Sequence, residues 1–159
     1  MSVENSNVVS SWDILNGQEV SGKCVVLGGG LVGAETAEYL ANKGLEVSIV
    51  EMMDKIAAQE SDTVLPLMEA DFEKHNVQKF VNTRVSEIKD NVIYAVNTKE
   101  ETNVEIAADT IVNALGSKKN VFDDSKLSVP FTYVGDCSGE RTADIASAIR
   151  TGYKAANEI

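Results

Sequence analysis

Apolar and polar positions divide the chain into segments of two different periods. Val25-Val26-Leu27 is the centre of an apolar run over about 23–28, which predicts a short strand. It ends in Gly28-Gly29-Gly30. Over about 31–43 the pattern is helical, with Ala37, Leu40 and Ala41 toward the sheet and Gly44 as the stop. A second strand follows at about 46–51. Leu65, Met68 and Phe72 recur at helical spacing and predict a core-facing helix over about 62–75. Pro66 blurs where it starts, and Glu69, Asp71 and Glu73 read as its solvated face.

The period then falls to two. A strand begins at 77–81, and the segments 85–88 and 92–96 flank Asp90-Asn91, a dipeptide suited to a hairpin turn. With 102–107 they predict an antiparallel three-stranded meander. Residues 111–116 return as a buried strand ending in glycine. The ends are less regular: 1–10 reads as a polar tail or linker, and Ser10 to Leu15 as one capped helical turn closed by Asn16-Gly17. Residues 117–130 read as a connector and 132–136 as a last short strand. A final helix over about 142–157 carries Ile145, Ile149, Tyr153 and Ala156 on one stripe. The whole predicts an α/β, Rossmann-like dinucleotide-binding domain: a parallel sheet with an antiparallel meander as crossover.

The first βαβ unit carries the chemistry. Gly28-Gly29-Gly30-Leu31-Val32-Gly33 has the spacing G-x-G-x-x-G, between a strand and a helix. Gly28 allows a tight turn, Gly30 lets backbone approach a pyrophosphate, and Gly33 lets the helix pack close to the sheet. The helix N-terminus offers free N–H groups and partial positive charge to phosphates. Glu51 ends the second strand 23 positions after Gly28, close to the roughly 20 expected of the acid that binds a ribose. A glycine turn that binds nothing is the alternative. After Glu51 come Met52-Met53-Asp54-Lys55, without an Arg to meet a 2′-phosphate, so NAD(H) is expected over NADP(H). Lys55 is the local cation, with simple solvation as its plain explanation.

Composition narrows the partners. The chain has 159 residues, 43% hydrophobic, and a formal charge of −11. That charge disfavours nucleic acid and an anionic membrane surface. No apolar run approaches the roughly 18 residues of a membrane span, and no signal peptide is apparent at the N-terminus. Cys24 and Cys137 form no C-x-x-C, and Cys24 reads as a buried thiol; a cytoplasmic location fits. The single histidine, His75, has no companion ligands, so no metal site is expected.

The fingerprint with Ala34-Glu35-Thr36-Ala37-Glu38, the Glu51 strand end, the meander, Ala114-Leu115-Gly116-Ser117 and Val134-Gly135-Asp136-Cys137 come in one order. That order resembles the pyridine-nucleotide-disulfide oxidoreductase superfamily. It is most similar to the C-terminal portion of NADH:flavin oxidoreductases of the 2-enoate reductase and 2,4-dienoyl-CoA reductase type. Residues 11–17, Val50-Glu51-Met52 and the closing 149–156 also match that type, so the resemblance spans about 10–159.

The resemblance implies that the glycine loop, Leu31, Val32, Glu51 and Met52 hold NAD(H). It places Glu35 near the nicotinamide, Val85 beside the adenine, and Ala114-Leu115-Gly116 along the nicotinamide pocket. A solvated helix Glu and an ordinary apolar strand residue also explain Glu35 and Val85. Asp136 would contact the ribityl chain of FAD in the intact enzyme. FAD would be held mainly by a second glycine fingerprint, and this sequence has one fingerprint only, so tight FAD binding by this chain alone is not expected. The implied organisation is a linker with short helix at 1–20, an NAD(H)-binding domain at 21–118, and the returning strand and helix of an incomplete FAD-binding domain at 119–159. Three readings stand: a domain of a larger flavoenzyme whose flavin-binding domain is its missing partner, a stand-alone NAD(H)-binding or sensing protein, or a subunit that completes its FAD site with another chain.

Overall fold

A computed structural model describes residues 1–116, 123, 125, 127–138 and 145–158. The chain divides into two compact units, Met1–Gly116 and Ser117–Ile159. In the first unit a five-stranded parallel sheet is built from β2 (Val8–Ser10), β3 (Lys23–Leu27), β4 (Glu46–Val50), β5 (Gln78–Phe80) and β9 (Thr110–Asn113), in the spatial order β2-β9-β3-β4-β5. A second sheet has the order β1-β6-β7-β8, from β1 (Ser2–Glu4), β6 (Thr83–Lys89), β7 (Val92–Asn97) and β8 (Thr102–Ala107). Helices α1 (Ser11–Leu15), α2 (Leu31–Asn42) and α3 (Leu65–Lys74) complete the unit.

Alternation along each central strand divides the core in two. On β3, Cys24 and Val26 face a cluster with Ala37, Leu40 and Phe72 of the helices. Val25 and Leu27 face the other way, into a cluster with Ile88, Ile93 and Ile106 of the meander. Val112 and Ile111 of β9 divide likewise. The parallel sheet is thus covered on both faces, which is why its strands are near-continuous apolar runs. Helix α2 needs small residues to lie close to the sheet, and Gly33, Ala34 and Ala37 supply them.

The meander is β6-β7-β8, antiparallel in register from Thr83↔Asn97 to Val92↔Ala107. Its first turn has Asp90 and Asn91 at φ 50 and 60, the left-handed pair that a two-residue hairpin loop requires. Strand 78–80 joins the parallel sheet beside β4.

Two expectations need correction. Residues 1–10 are not a tail. β1 pairs parallel with β6 and β2 pairs parallel with β9, so the segment borders both sheets. Asn7 fixes it there: its N–H donates to Asn91 Oδ1 at 2.7 Å and its side-chain amide to the Asp109 carbonyl at 3.1 Å. Residues 132–136 form no strand; Phe131 to Val134 have no regular structure and Gly135–Cys137 is one 3-10 turn. Among the described residues no strand pairs with this segment, and an isolated extended segment leaves its backbone groups to water. The second unit's helix, α4 (Ile145–Asn157), was expected from 142; residues 142–144, like Ser117, lie outside the described residues. The 3-10 turn is tied to this helix by Gly135 N–H donating to Thr151 Oγ1 at 2.8 Å.

Candidate functional site

The carboxyl ends of β3, β4 and β9 lie side by side, Leu27 paired with Val50 on one flank and with Asn113 on the other. The ladder continues one step beyond them. Gly28 N–H donates to the Val50 carbonyl and Ala114 N–H to the Leu27 carbonyl, each at 2.9 Å. The three segments leaving the sheet here are therefore the glycine loop, the Glu51 turn and Ala114-Leu115-Gly116. In a doubly wound sheet this end, at the point where strand order reverses, is where ligands bind.

The glycines have separate physical reasons. Gly28 has φ +98, and a Cβ there would lie 2.5 Å from the Ala114 carbonyl oxygen. At Gly33 a Cβ would lie 1.9 Å from the Gly28 carbonyl oxygen and 3.2 Å from the Ala114 methyl. At Gly29 it would press on Glu51 Cβ at 3.0 Å and on Ile56. At Gly30 it would meet nothing within 4 Å. Gly28 and Gly33 are thus required by the protein's own packing and Gly29 is closely packed, whereas Gly30 faces open space. Gly30 is also the N-cap of α2, with no side-chain cap, and the first helical bond is Ala34 N–H to the Gly30 carbonyl. The N–H groups of Leu31, Val32 and Gly33 precede that bond and point their dipoles outward.

Glu51 is fixed at backbone and side chain. Its N–H donates to the Phe80 carbonyl and its carbonyl accepts from Thr83 N–H. The carboxylate accepts from Gly29 N–H at 2.6 Å through Oε2 and from Met53 N–H at 2.7 Å through Oε1. A carboxylate has about four lone-pair positions, so two remain for a ligand's hydroxyls. The acid expected at the ribose is thus also the tie between the glycine loop and the turn after β4.

A cleft of about 190 Å³ opens here, lined by Gly29, Gly30, Leu31, Glu51, Met53, Lys55, Ala58 and Gln59. It is smaller than the about 300–1,000 Å³ of a typical ligand pocket. The structure brings together the glycine loop, Leu31 and Glu51. Val32 lies in the first turn of α2, where its carbonyl accepts from Thr36 Oγ1. Gly28, Gly33 and Ala114 form the packed floor. Leu115 and Gly116 are exposed beside it, Gly116 at φ +88. Met52 is exposed next to the lining residue Met53. Glu35 is exposed on α2, and Val85 packs against the meander core with Phe80 and Val104; neither lines the cleft. Asp136 is exposed in the second unit's 3-10 turn.

The wall formed by Met53, Lys55, Ala58 and Gln59 was not found in the sequence beyond Lys55 as a local cation. No motif marks it. Its anchor is Ala57, whose N–H donates to the Gly29 carbonyl at 2.7 Å from a left-handed conformation, φ 49. That conformation is rare for a residue with a Cβ.

Among the described residues no group of His, Cys, Asp and Glu could hold a metal ion, and no helix is long and apolar enough to cross a membrane. Cys24 is buried, and that burial, reinforced by Asp109, pushes its thiol pKa up to about 11. It is therefore protonated and unreactive near neutral pH.

The chain is 47% identical over 157 residues to a bilirubin reductase of Mediterraneibacter gnavus, covering 96% of this chain and 24% of the relative. It is 31% identical to a cinnamate reductase of Clostridium sporogenes, covering 96% of this chain and 23% of that one. A solved 2-naphthoyl-CoA reductase superposes with a TM-score of 0.76 at 29% identity, over 96% of this chain and 23% of that one. This chain therefore spans about a quarter of the length of these relatives, and the resemblance to enoate-reductase-type flavoenzymes is borne out. The model of the pyridine nucleotide-disulphide oxidoreductases matches residues 2–146, and this chain belongs to that family of flavin-dependent pyridine-nucleotide oxidoreductases.

Proposed function

We propose that this chain is the NAD(H)-binding portion of a flavin-dependent oxidoreductase, serving hydride transfer from NADH to flavin and, in the intact enzyme, reduction of an activated alkene. The observation that carries this reading is one cleft shared by the open backbone at Gly30 and a Glu51 carboxylate with two acceptor positions left. Those positions suit the vicinal hydroxyls of a ribose. The α2 N-terminus suits a pyrophosphate. A 2′-phosphate would meet the Glu51 carboxylate, which supports NAD(H) over NADP(H).

Bound NADH supplies a hydride at nicotinamide C4. This chain's residues would orient that cofactor: Glu51 at the adenosine ribose, the Leu31–Gly33 amides at the phosphates, and Ala114, Leu115 and Gly116 along the nicotinamide end. Glu35, Met52 and Val85 are assigned around the same ligand by family resemblance. Flavin fits this chain less well. One glycine fingerprint is present, and it is taken by the NAD(H) reading, so FAD is assigned mainly to the remainder of the enzyme, with Asp136 reaching its ribityl chain there. The exposed stripe of Ile145, Ile149 and Tyr153 on α4 supports a covering flavin-binding segment, because such contiguous apolar surface marks an interaction site.

Titration of the purified chain with NADH and NADPH by calorimetry tests the reading. Saturable binding of NADH, with NADPH weaker, is expected. Equal affinities would sink the assignment of Glu51 to the ribose, and binding of neither would sink the cleft as a dinucleotide site.

A further inference from the structure

We propose that the segment from Met53 to Gln59 is a second wall of the dinucleotide site and that Lys55 on it holds the ligand's pyrophosphate. This rests on the dinucleotide reading of the glycine loop and adds a contact which that loop does not provide.

The segment is pinned at three points. Met53 N–H donates to Glu51 Oε1, and the Met53 carbonyl accepts from Asn82 N–H at 2.8 Å. Ile56 and Ala57 are buried, Ile56 against the position a Gly29 side chain would take. Ala57 keeps φ 49 while donating to the Gly29 carbonyl. A left-handed non-glycine residue persists only where its surroundings over-determine it, and such residues cluster at ligand clamps. The consequence is a chain that leaves β4, turns, and comes back onto the glycine loop. Its flanking side chains, Lys55, Ala58 and Gln59, then line the same cleft as Gly29, Gly30 and Leu31.

Among the described residues Lys55, which is exposed, forms no salt bridge and is the one cationic side chain lining the cleft. The ligand's pyrophosphate carries two negative charges into a chain of net charge −11. The α2 N-terminus offers only partial charge against that field, about half an elementary charge. An ammonium on the opposite wall supplies a full one. Ala57 ties the segment to the Gly29 carbonyl, one residue before the open backbone at Gly30, which favours the pyrophosphate over a 2′-phosphate as the group Lys55 meets.

Calorimetry with NADH, ADP-ribose and NADPH, on wild type, Lys55→Ala and Lys55→Arg, tests this. Lys55→Ala should weaken NADH and ADP-ribose by the same factor, about tenfold, the worth of one partly exposed charge-assisted hydrogen bond. Lys55→Arg should stay within about threefold of wild type, since the charge is retained. Unchanged NADH affinity in Lys55→Ala overturns the proposal. So does a loss confined to NADPH, which would move Lys55 to the 2′ position, or a Lys55→Arg variant as weak as Lys55→Ala. If wild type binds none of the three, the dinucleotide reading itself has failed; if wild type binds and Lys55→Ala binds equally well, only this inference has.

Discussion

Replacing Gly33 and Gly30 separately by alanine should split the fingerprint into a folding part and a binding part. A methyl at Gly33 would sit 1.9 Å from the Gly28 carbonyl oxygen. That oxygen is backbone, in a loop held by the Gly28-to-Val50 and Ala57-to-Gly29 bonds, and cannot swing aside as a side chain would. Ordinary contact is beyond 3.4 Å. Helix α2 must therefore retreat from β3 by on the order of 1 Å, opening the packing of Ala34 and Ala37 against the sheet. Overpacking of this kind costs about 1–3 kcal/mol, and the gap opened beneath the helix adds to it. The gain in helix propensity from Gly to Ala offsets roughly 1 kcal/mol. A net loss of about 2 kcal/mol is expected, or roughly 6–10 °C in Tm for a unit of this size. At Gly30 the added methyl meets no protein atom within 4 Å, so stability should change by less than about 0.5 kcal/mol. That methyl projects into the space the pyrophosphate would take, so NADH affinity should fall at least tenfold. Urea unfolding followed by circular dichroism reads the first effect and calorimetric NADH titration the second. A Gly33→Ala protein as stable as wild type would refute the packing argument. A Gly30→Ala protein that binds NADH normally would show that the ligand does not approach the backbone there.

Glu51→Ala should lower NADH affinity about ten- to a hundredfold, the worth of ribose hydrogen bonds to a charged acceptor; unchanged affinity by calorimetry would remove Glu51 from the ribose. Asn91→Ala loses both the acceptor for Asn7 N–H and the residue type that tolerates φ 60, and should cost about 1–2 kcal/mol in urea unfolding. Glu38 has its carboxyl pKa raised above the usual 4.5, first by burial, then by the Asp71 charge, a hydrogen bond with Asp71 and the Glu35 charge. The folded state therefore holds this proton more tightly than the unfolded state, and stability falls as pH rises from about 4.5 through the folded pKa. Glu38→Gln should consequently stabilise at pH 7, by roughly 0.2–1 kcal/mol at this partly exposed site, and give no gain below pH 4; a gain of equal size at both pH values would refute the charge argument. With its pKa near 11, Cys24 should resist a thiol reagent at pH 8 until the chain unfolds, and prompt labelling of Cys24 by mass spectrometry would contradict its burial.

The sequence alone determined what depends on neighbours in the chain. The glycine spacing, the apolar runs of β3, β4 and β9, the helical stripe of Leu65, Met68 and Phe72, and the Asp90-Asn91 turn are all set by local backbone preference and period. Each reappears in the structure. What only the tertiary structure decided depends on partners far along the chain. Residues 1–10 look polar and linker-like by themselves. They become strands because β6 and β9 present free edges and Asn7 reaches Asn91 and Asp109, some 84 and 102 positions away. Residues 132–136 have the composition of a strand but pair with no strand among the described residues. Val85 has the pattern of any apolar strand residue, and only the packing of the meander decides that it lies against the core cluster of Ile88, Ile93 and Ile106. Glu51 was legible as the acid at a strand end, but not as the staple of Gly29 to Met53. The wall at Met53 to Gln59 carries no motif because Ala57 holds a conformation its own side chain disfavours, and the Gly29 carbonyl, the Glu60 N–H and the buried Ile56 keep it there.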